Sequence, residues 1–161
     1  MGVENDLFQR SIAALAGGNP ERAKQQLLKL LEKDRNNIEL LTFLTTIYQQ
    51  YQQPQHALLT AQRSATLDPK NPQHWNNLGY LHISLGQWKQ AEECYAKAAK
   101  LNDASPTIFL HHALTLIELG QTEKAIKQLK AALDHSLSGE LLSIIQTDPL
   151  FMKIRPLLNK L

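Results

Sequence analysis

The chain has 161 residues, a net charge of +2, 43% hydrophobic and 20% charged residues, and a single cysteine, Cys94. That is enough for one domain with a real core, and too aliphatic for a disordered chain. The small charge argues against a nucleic-acid partner or an anionic membrane surface. One cysteine excludes an intramolecular disulfide and fits a reducing, cytoplasmic setting.

In chain order, the first segment, MGVENDLFQRS, begins acidic and lacks an apolar signal-type stretch, so no secretion signal is expected. Helical patterning then recurs with a fixed period. Ala23, Ala57, Ala91 and Ala125 lie 34 residues apart, which divides the chain into units 4–37, 38–71, 72–105 and 106–139. One column of the repeat is always large and apolar: Leu7, Leu41, Trp75, Phe109. Another is always small: Ser11, Thr45, Gly79, Ala113. A third reads Leu27, Ala61, Tyr95, Leu129.

Each unit predicts two helices of about 14 residues. Gly18, Gly86 and Gly120 share a column with Gln52, and the glycines there supply the left-handed residue that ends the first helix. Pro20 and Pro54 open second helices, where a missing N–H is harmless. Asp68-Pro69 closes the second unit, and Asn71-Pro72 and Ser105-Pro106 start the next two. The mid-helix Gly79 costs about 1 kcal/mol against alanine, which the small-residue column explains as a close approach of two helices. The uncharged run Leu40–Gln55 is interrupted by Thr, Gln and Pro54, so no membrane span is expected. After residue 139 the period stops. The pattern then predicts an apolar stripe of Leu141, Leu142 and Ile145, and a helix start at Thr147-Asp148-Pro149. Leu150, Phe151 and Ile154 follow at helical spacing, and Pro156 is placed to kink or restart the helix.

Trp75, Leu78, Gly79 and His82, followed by Ala91, Tyr95 and Ala98, resemble the tetratricopeptide repeat. The usual Tyr and late Pro of that repeat are His82 and Asp103 here. The second unit has Tyr48 and Pro69 at those places, but Leu41 in place of Trp. The resemblance covers about residues 4–139, and it implies an all-α, right-handed solenoid of antiparallel helix pairs, with 140–161 as C-terminal capping helices. It also implies that first helices line a concave groove. Residues facing it would include Thr42, Phe43 and Thr46 in the second unit, Gln73, Asn76, Asn77, Tyr80, Ile83 and Ser84 in the third, and Thr107, Leu110, His111, Leu114, Ile117 and Glu118 in the fourth.

No residue set for catalysis stands out. There is no Walker-type or dinucleotide-binding loop, and Glu92-Glu93 are consecutive and so face different ways on a helix. No metal ligand set appears either, because His111 and His112 point about 100° apart and His74 and His82 lack a third ligand nearby. Cys94 lacks an activating base. Neither a cofactor nor enzymatic activity is expected. Some tetratricopeptide domains clamp acidic peptide tails with Lys, Arg and Asn. At the matching places this chain has Thr42, Thr46, Asn77, Thr107 and His111, or in the other register Phe8, Ile12, Phe43, Gln73 and Asn77. Only Asn77 fits, and without cations a carboxylate loses its charge-assisted bonds. Lysines fall mostly on second helices, interspersed with glutamates, as on a solvated face.

The sequence therefore reads as a protein-binding module, an adaptor or assembly factor. It would take a low-charge peptide or helix on Thr42, Phe43, Thr46, Gln73, Asn76, Asn77, Tyr80, Thr107 and His111. The alternative is a scaffold that forms a homo-oligomer through its terminal repeat or C-terminal helices.

Overall fold

The computed structural model describes residues 2–101, 104–136 and 140–160, with 2–5 and 140 by backbone alone. Asp103 and the expected boundary at 139 lie outside the described residues. Every regular element among the described residues is helical, and the chain divides into two compact units, Met1–Asp68 and Pro69–Leu161.

The first unit holds α1 (Gly2–Ala16), α2 (Pro20–Lys33), α3 (Ile38–Gln50) and α4 (Pro54–Leu67). Its helix starts follow from local chemistry. The Asn19 side chain accepts from the Arg22 N–H and Asn37 accepts from Leu40, each at 3.1 Å, so orphan amides of α2 and α3 are capped. Gln52 ends α3 at φ 53°, the conformation that glycine takes in the equivalent turns. The helices close over Ala23, Leu27, Leu41, Leu44, Ile47, Ala57 and Ala65, all 2% exposed or less. Where α3 meets α4, the small column holds Thr45, whose hydroxyl lies 2.8 Å from that of Thr60. Tyr48 stacks on His56 beside it, with ring centroids 5.1 Å apart.

The second unit holds α5 (Pro72–Ser84), α6 (Trp88–Ala98), α7 (Pro106–Glu118), α8 (Thr122–Asp134) and α9 (Glu140–Thr147), then two 3-10 turns at Pro149–Phe151 and Arg155–Lys160. A Cβ on Gly79 of α5 would come within 2.8 Å of the Tyr95 ring on α6, so the glycine is there to let an aromatic face lie on backbone. Trp75 donates its indole N–H to the Pro69 carbonyl at 2.9 Å, and Lys97 stands 4.3 Å over its ring, which ties the entry of α5 to α6. Tyr95, Ile108, Leu110, Ala113, Leu114, Leu129, Ile145 and Ile154 share one core, each 1% exposed or less.

Ser105-Pro106 does start α7, although the Ser105 hydroxyl pairs with Thr107 at 2.9 Å instead of capping the helix. Two expectations need correction. Leu142 leaves the predicted stripe and is 41% exposed, whereas Leu141 and Ile145 are buried. The segment after Asp148 forms 3-10 turns rather than an α-helix. Asp148 does cap it, accepting from Leu150 at 2.9 Å, but Pro156 falls within the second turn, and its ring is incompatible with an α-helical bond to the preceding turn.

Candidate functional site

Each unit presents its own set of the expected contact residues. In the first, Phe8 of α1 meets Phe43 of α3 edge-on, with ring centroids 5.1 Å apart and planes at 89°. Beside this pair lies a hollow of about 420 Å³ lined by Leu15, Ala16, Thr42, Phe43, Thr46 and Gln50. Thr42 donates its hydroxyl to Ile38 at 2.9 Å and Thr46 donates to Thr42 at 3.2 Å, both to carbonyls of their own helix. With their protons used in this way, the two threonines offer the hollow methyl groups and oxygen lone pairs. The hollow is thus apolar with acceptors at its rim.

In the second unit α5 carries Gln73, Asn76, Asn77 and Tyr80 on one side. Gln73 is exposed, the two asparagines are partly buried, and Tyr80 is 44% exposed. Asn76 donates weakly to Gln73 at 3.4 Å, while its own amide oxygen is buried without a partner among the described residues. Tyr80 leans on His111 of α7, centroids 5.9 Å apart. His111 in turn packs against Tyr95 at 5.7 Å and Phe151 at 5.5 Å. Thr107, one turn before His111, is exposed and pairs with Ser105.

His111 therefore sits inside a ring cluster rather than at an open rim. Burial pushes its pKa down to about 4 against a weaker opposing pull from Asp148, so the imidazole is neutral at ordinary pH. Its Nδ1 and the Tyr95 hydroxyl are both buried without a hydrogen-bond partner among the described residues. Burial also raises the Tyr95 pKa, with smaller contributions from Cys94 and Tyr80, so the phenol keeps its proton. His112 points the other way. Its Nε2 lies 3.6 Å from a Glu92 oxygen, too far for a good hydrogen bond, and burial outweighs that carboxylate in lowering its pKa.

Three more residues assigned to the inner wall by repeat position are covered: Leu110 and Leu114 are 1% exposed and Ile83 is 7% exposed. The core that encloses them includes Phe151, Ile154 and Leu157 from the end of the chain. Repeat position points these residues inward in the sequence, but nothing in a 34-residue period reports what a non-repeating tail will cover. Tyr95 carries the opposite lesson. Its column marks a packing residue, and the packing is as expected, yet its hydroxyl also belongs to the polar cluster under Tyr80.

Other chemistry is quiet. Cys94 is buried and its thiol is pushed up to about 11, chiefly by that burial, so it stays protonated and unreactive near neutral pH. No group of metal-ligating side chains occurs among the described residues, and none of the described helices is long and apolar enough to cross a membrane.

With this geometry in hand, the sequence pattern of the family described as anaphase-promoting complex, cyclosome, subunit 3, a tetratricopeptide-type family, matches residues 49–132. No curated protein matches the chain in sequence. Among solved structures, a crystal structure of MamA is 22% identical, aligned over 82% of this chain and 77% of its own, with a TM-score of 0.74. The AMB-1 form of MamA is 24% identical over 86% of this chain and 76% of its own, with a TM-score of 0.71. MamA from Desulfovibrio magneticus RS-1 is 18% identical over 81% of this chain and 74% of its own, also with a TM-score of 0.71. At such identities the likeness carries the fold, an all-α solenoid of tetratricopeptide helix pairs.

Proposed function

We infer that this chain, which belongs to the family described as anaphase-promoting complex, cyclosome, subunit 3, works without chemistry of its own, by holding another protein. Residues 4–139 act as four tetratricopeptide units and 140–161 as the cap that closes the last of them. The observation that carries this reading is Tyr80, 44% exposed above partly buried asparagines, on a face whose polar groups include an unpaired amide oxygen.

Gln73, Asn76, Asn77 and Thr107 carry no ionisable group, and burial keeps the His111 imidazole neutral. Such a face suits a low-charge peptide or helix. Carboxamides pair with backbone N–H and C=O groups whatever the side chains attached, and a tyrosine ring adds flat contact area at low entropy cost. Thr42, Phe43 and Thr46 border a separate hollow in the first unit, which has room for an apolar side chain. An adaptor or assembly factor in the cytoplasm is the role that fits a module of this kind.

The test is photo-crosslinking capture from the source cell with the full chain and with Asn77→Ala/Tyr80→Ala. The double variant is expected to lose about 1–3 kcal/mol of partner affinity while its thermal midpoint stays put. Undiminished capture by the double variant moves the site elsewhere. A second reading, self-association, is favoured by Leu142, Ile144 and Met152, which are 41%, 39% and 63% exposed near the end of the chain. Sedimentation over a range of protein concentration separates the two readings.

A further inference from the structure

The repeat gives α5 and α7 equivalent residues 34 positions apart, so Asn76, Asn77, Tyr80 and Ser84 correspond to Leu110, His111, Leu114 and Glu118. On α5 these positions are open or partly open. On α7 they are occupied, because the ring of Phe151 lies 5.5 Å from that of His111, and Lys153 reaches Glu118 at 2.7 Å. Phe151, Ile154 and Leu157, at 2%, 0% and 6% exposure, join the core that buries Leu110 and Leu114. The end of the chain therefore sits where a ligand of that helix would sit.

We propose that this C-terminal segment, Asp148–Lys160, is an exchangeable occupant of the α7 face, and that the partner segment displacing it carries the same pattern: an aromatic residue, a cation two residues on, and aliphatic residues three and six residues on. This deepens the function proposed above and rests on it, since it names the chemistry of the segment that is held.

Three observations make the occupant exchangeable rather than a fixed piece of core. The segment is built from 3-10 turns, whose hydrogen bonds are poorer than those of an α-helix. Its Arg155 donates within the segment to Asp148 at 3.2 Å and back to Ile145 of α9 at 2.9 Å, neither of them on α7. Among the described residues the hydrogen bond it makes to α7 is that of Lys153 to Glu118, with Lys153 62% exposed. Third, in the ring cluster that Phe151 joins, the His111 Nδ1 and the Tyr95 hydroxyl are buried without a hydrogen-bond partner among the described residues. A buried polar atom without a partner is costly, so a segment that brings an amide or hydroxyl to those two atoms binds this face better than the chain's own tail. The partner is thus expected to place Asn, Gln, Ser or Thr, or a free backbone amide, beside its aromatic residue.

The probe is a fluorescent synthetic peptide with the chain's own sequence 147–160, titrated by anisotropy onto the full-length protein and onto full-length Phe151→Ala and Lys153→Glu. A tail that competes in cis reduces apparent affinity by the fraction of time the face is free, so loosening it restores binding. The expected result is weak binding to the wild type, about threefold tighter binding to Lys153→Glu and about tenfold tighter binding to Phe151→Ala. A control peptide lacking its Phe is expected to bind none of them. Lys153 is mostly exposed, so Lys153→Glu keeps the test alive should Phe151→Ala fail to fold by circular dichroism. Equal affinity for all three proteins, or no binding to any, overturns the exchange. If capture of a natural partner still depends on Asn77 and Tyr80 in that case, the proposed function stands and only the exchange is lost. If the peptide exchanges but capture ignores the double substitution, the tail proposal stands and the α5 site falls.

Discussion

Glycine 79 is the residue at which sequence and packing agree most closely. Its cost within α5 is legible as soon as Ser11, Thr45 and Ala113 are seen in the same column, but the neighbour that demands it, Tyr95, is visible only in three dimensions. Gly79→Ala gains about 1 kcal/mol of helix propensity and forces a methyl within 2.8 Å of a fully buried ring. Overpacking costs about 1–3 kcal/mol, so the net change is expected to be destabilising. Urea unfolding should show a lower midpoint, and Tyr95→Leu in the same chain should recover part of it. Gln52 tells the converse story. It holds φ at 53° where the equivalent turns use Gly18, Gly86 and Gly120. A left-handed conformation costs a residue with a Cβ about 1–2 kcal/mol, partly offset by the extra freedom a glycine has when unfolded. Gln52→Gly is therefore expected to stabilise the protein by about 0.5–1 kcal/mol. A midpoint that falls instead would show that the Gln52 side chain matters more than its backbone.

At the level of elements, helix starts were readable because they are local: Asn19, Asn37 and Asn71 each cap the helix that follows. The end of the chain was readable only in part: Asp148 caps its turn and Leu141 and Ile145 are buried, but a proline-interrupted, non-repeating segment has no column to compare with, and its 3-10 turns and its place on α7 are set by tertiary contact. That contact also determines how α7 responds to acid. His111 has a folded pKa of about 4 against an ordinary 6.5, so the native state refuses a proton that the unfolded chain accepts. Above pH 6.5 both states are neutral and nothing is lost. As pH falls from 6.5 towards 4, stability declines, by about 3 kcal/mol in all. His112 is lowered in the same direction. Denaturant midpoints at pH 7 and pH 5 should therefore differ, and His111→Phe should narrow the gap without abolishing it. An equal gap in wild type and variant would place the acid sensitivity elsewhere.

For the molecule as a whole, the repeat is legible in full as a period, yet the compact units it forms are not equal. The first relies on Leu27, Leu41, Leu44 and Ile47 with many alanines, whereas the second adds Tyr95, Ile108 and Phe109 to its leucines. Buried aromatic and branched side chains contribute roughly 1.5–3 kcal/mol each, so the first unit should open at lower free energy. Native-state hydrogen exchange is expected to give smaller protection to amides of α3 than to those of α7, and equal protection would mean that the two units open together. The indole of Trp75, pinned to Pro69 beneath Lys97, makes this distinction accessible by optical means. Both tryptophans of the chain, Trp75 and Trp88, belong to the unit Pro69–Leu161. Tryptophan emission thus watches one half of the protein, while far-ultraviolet ellipticity sums over both, and any offset between the two melting curves measures how independently the halves come apart.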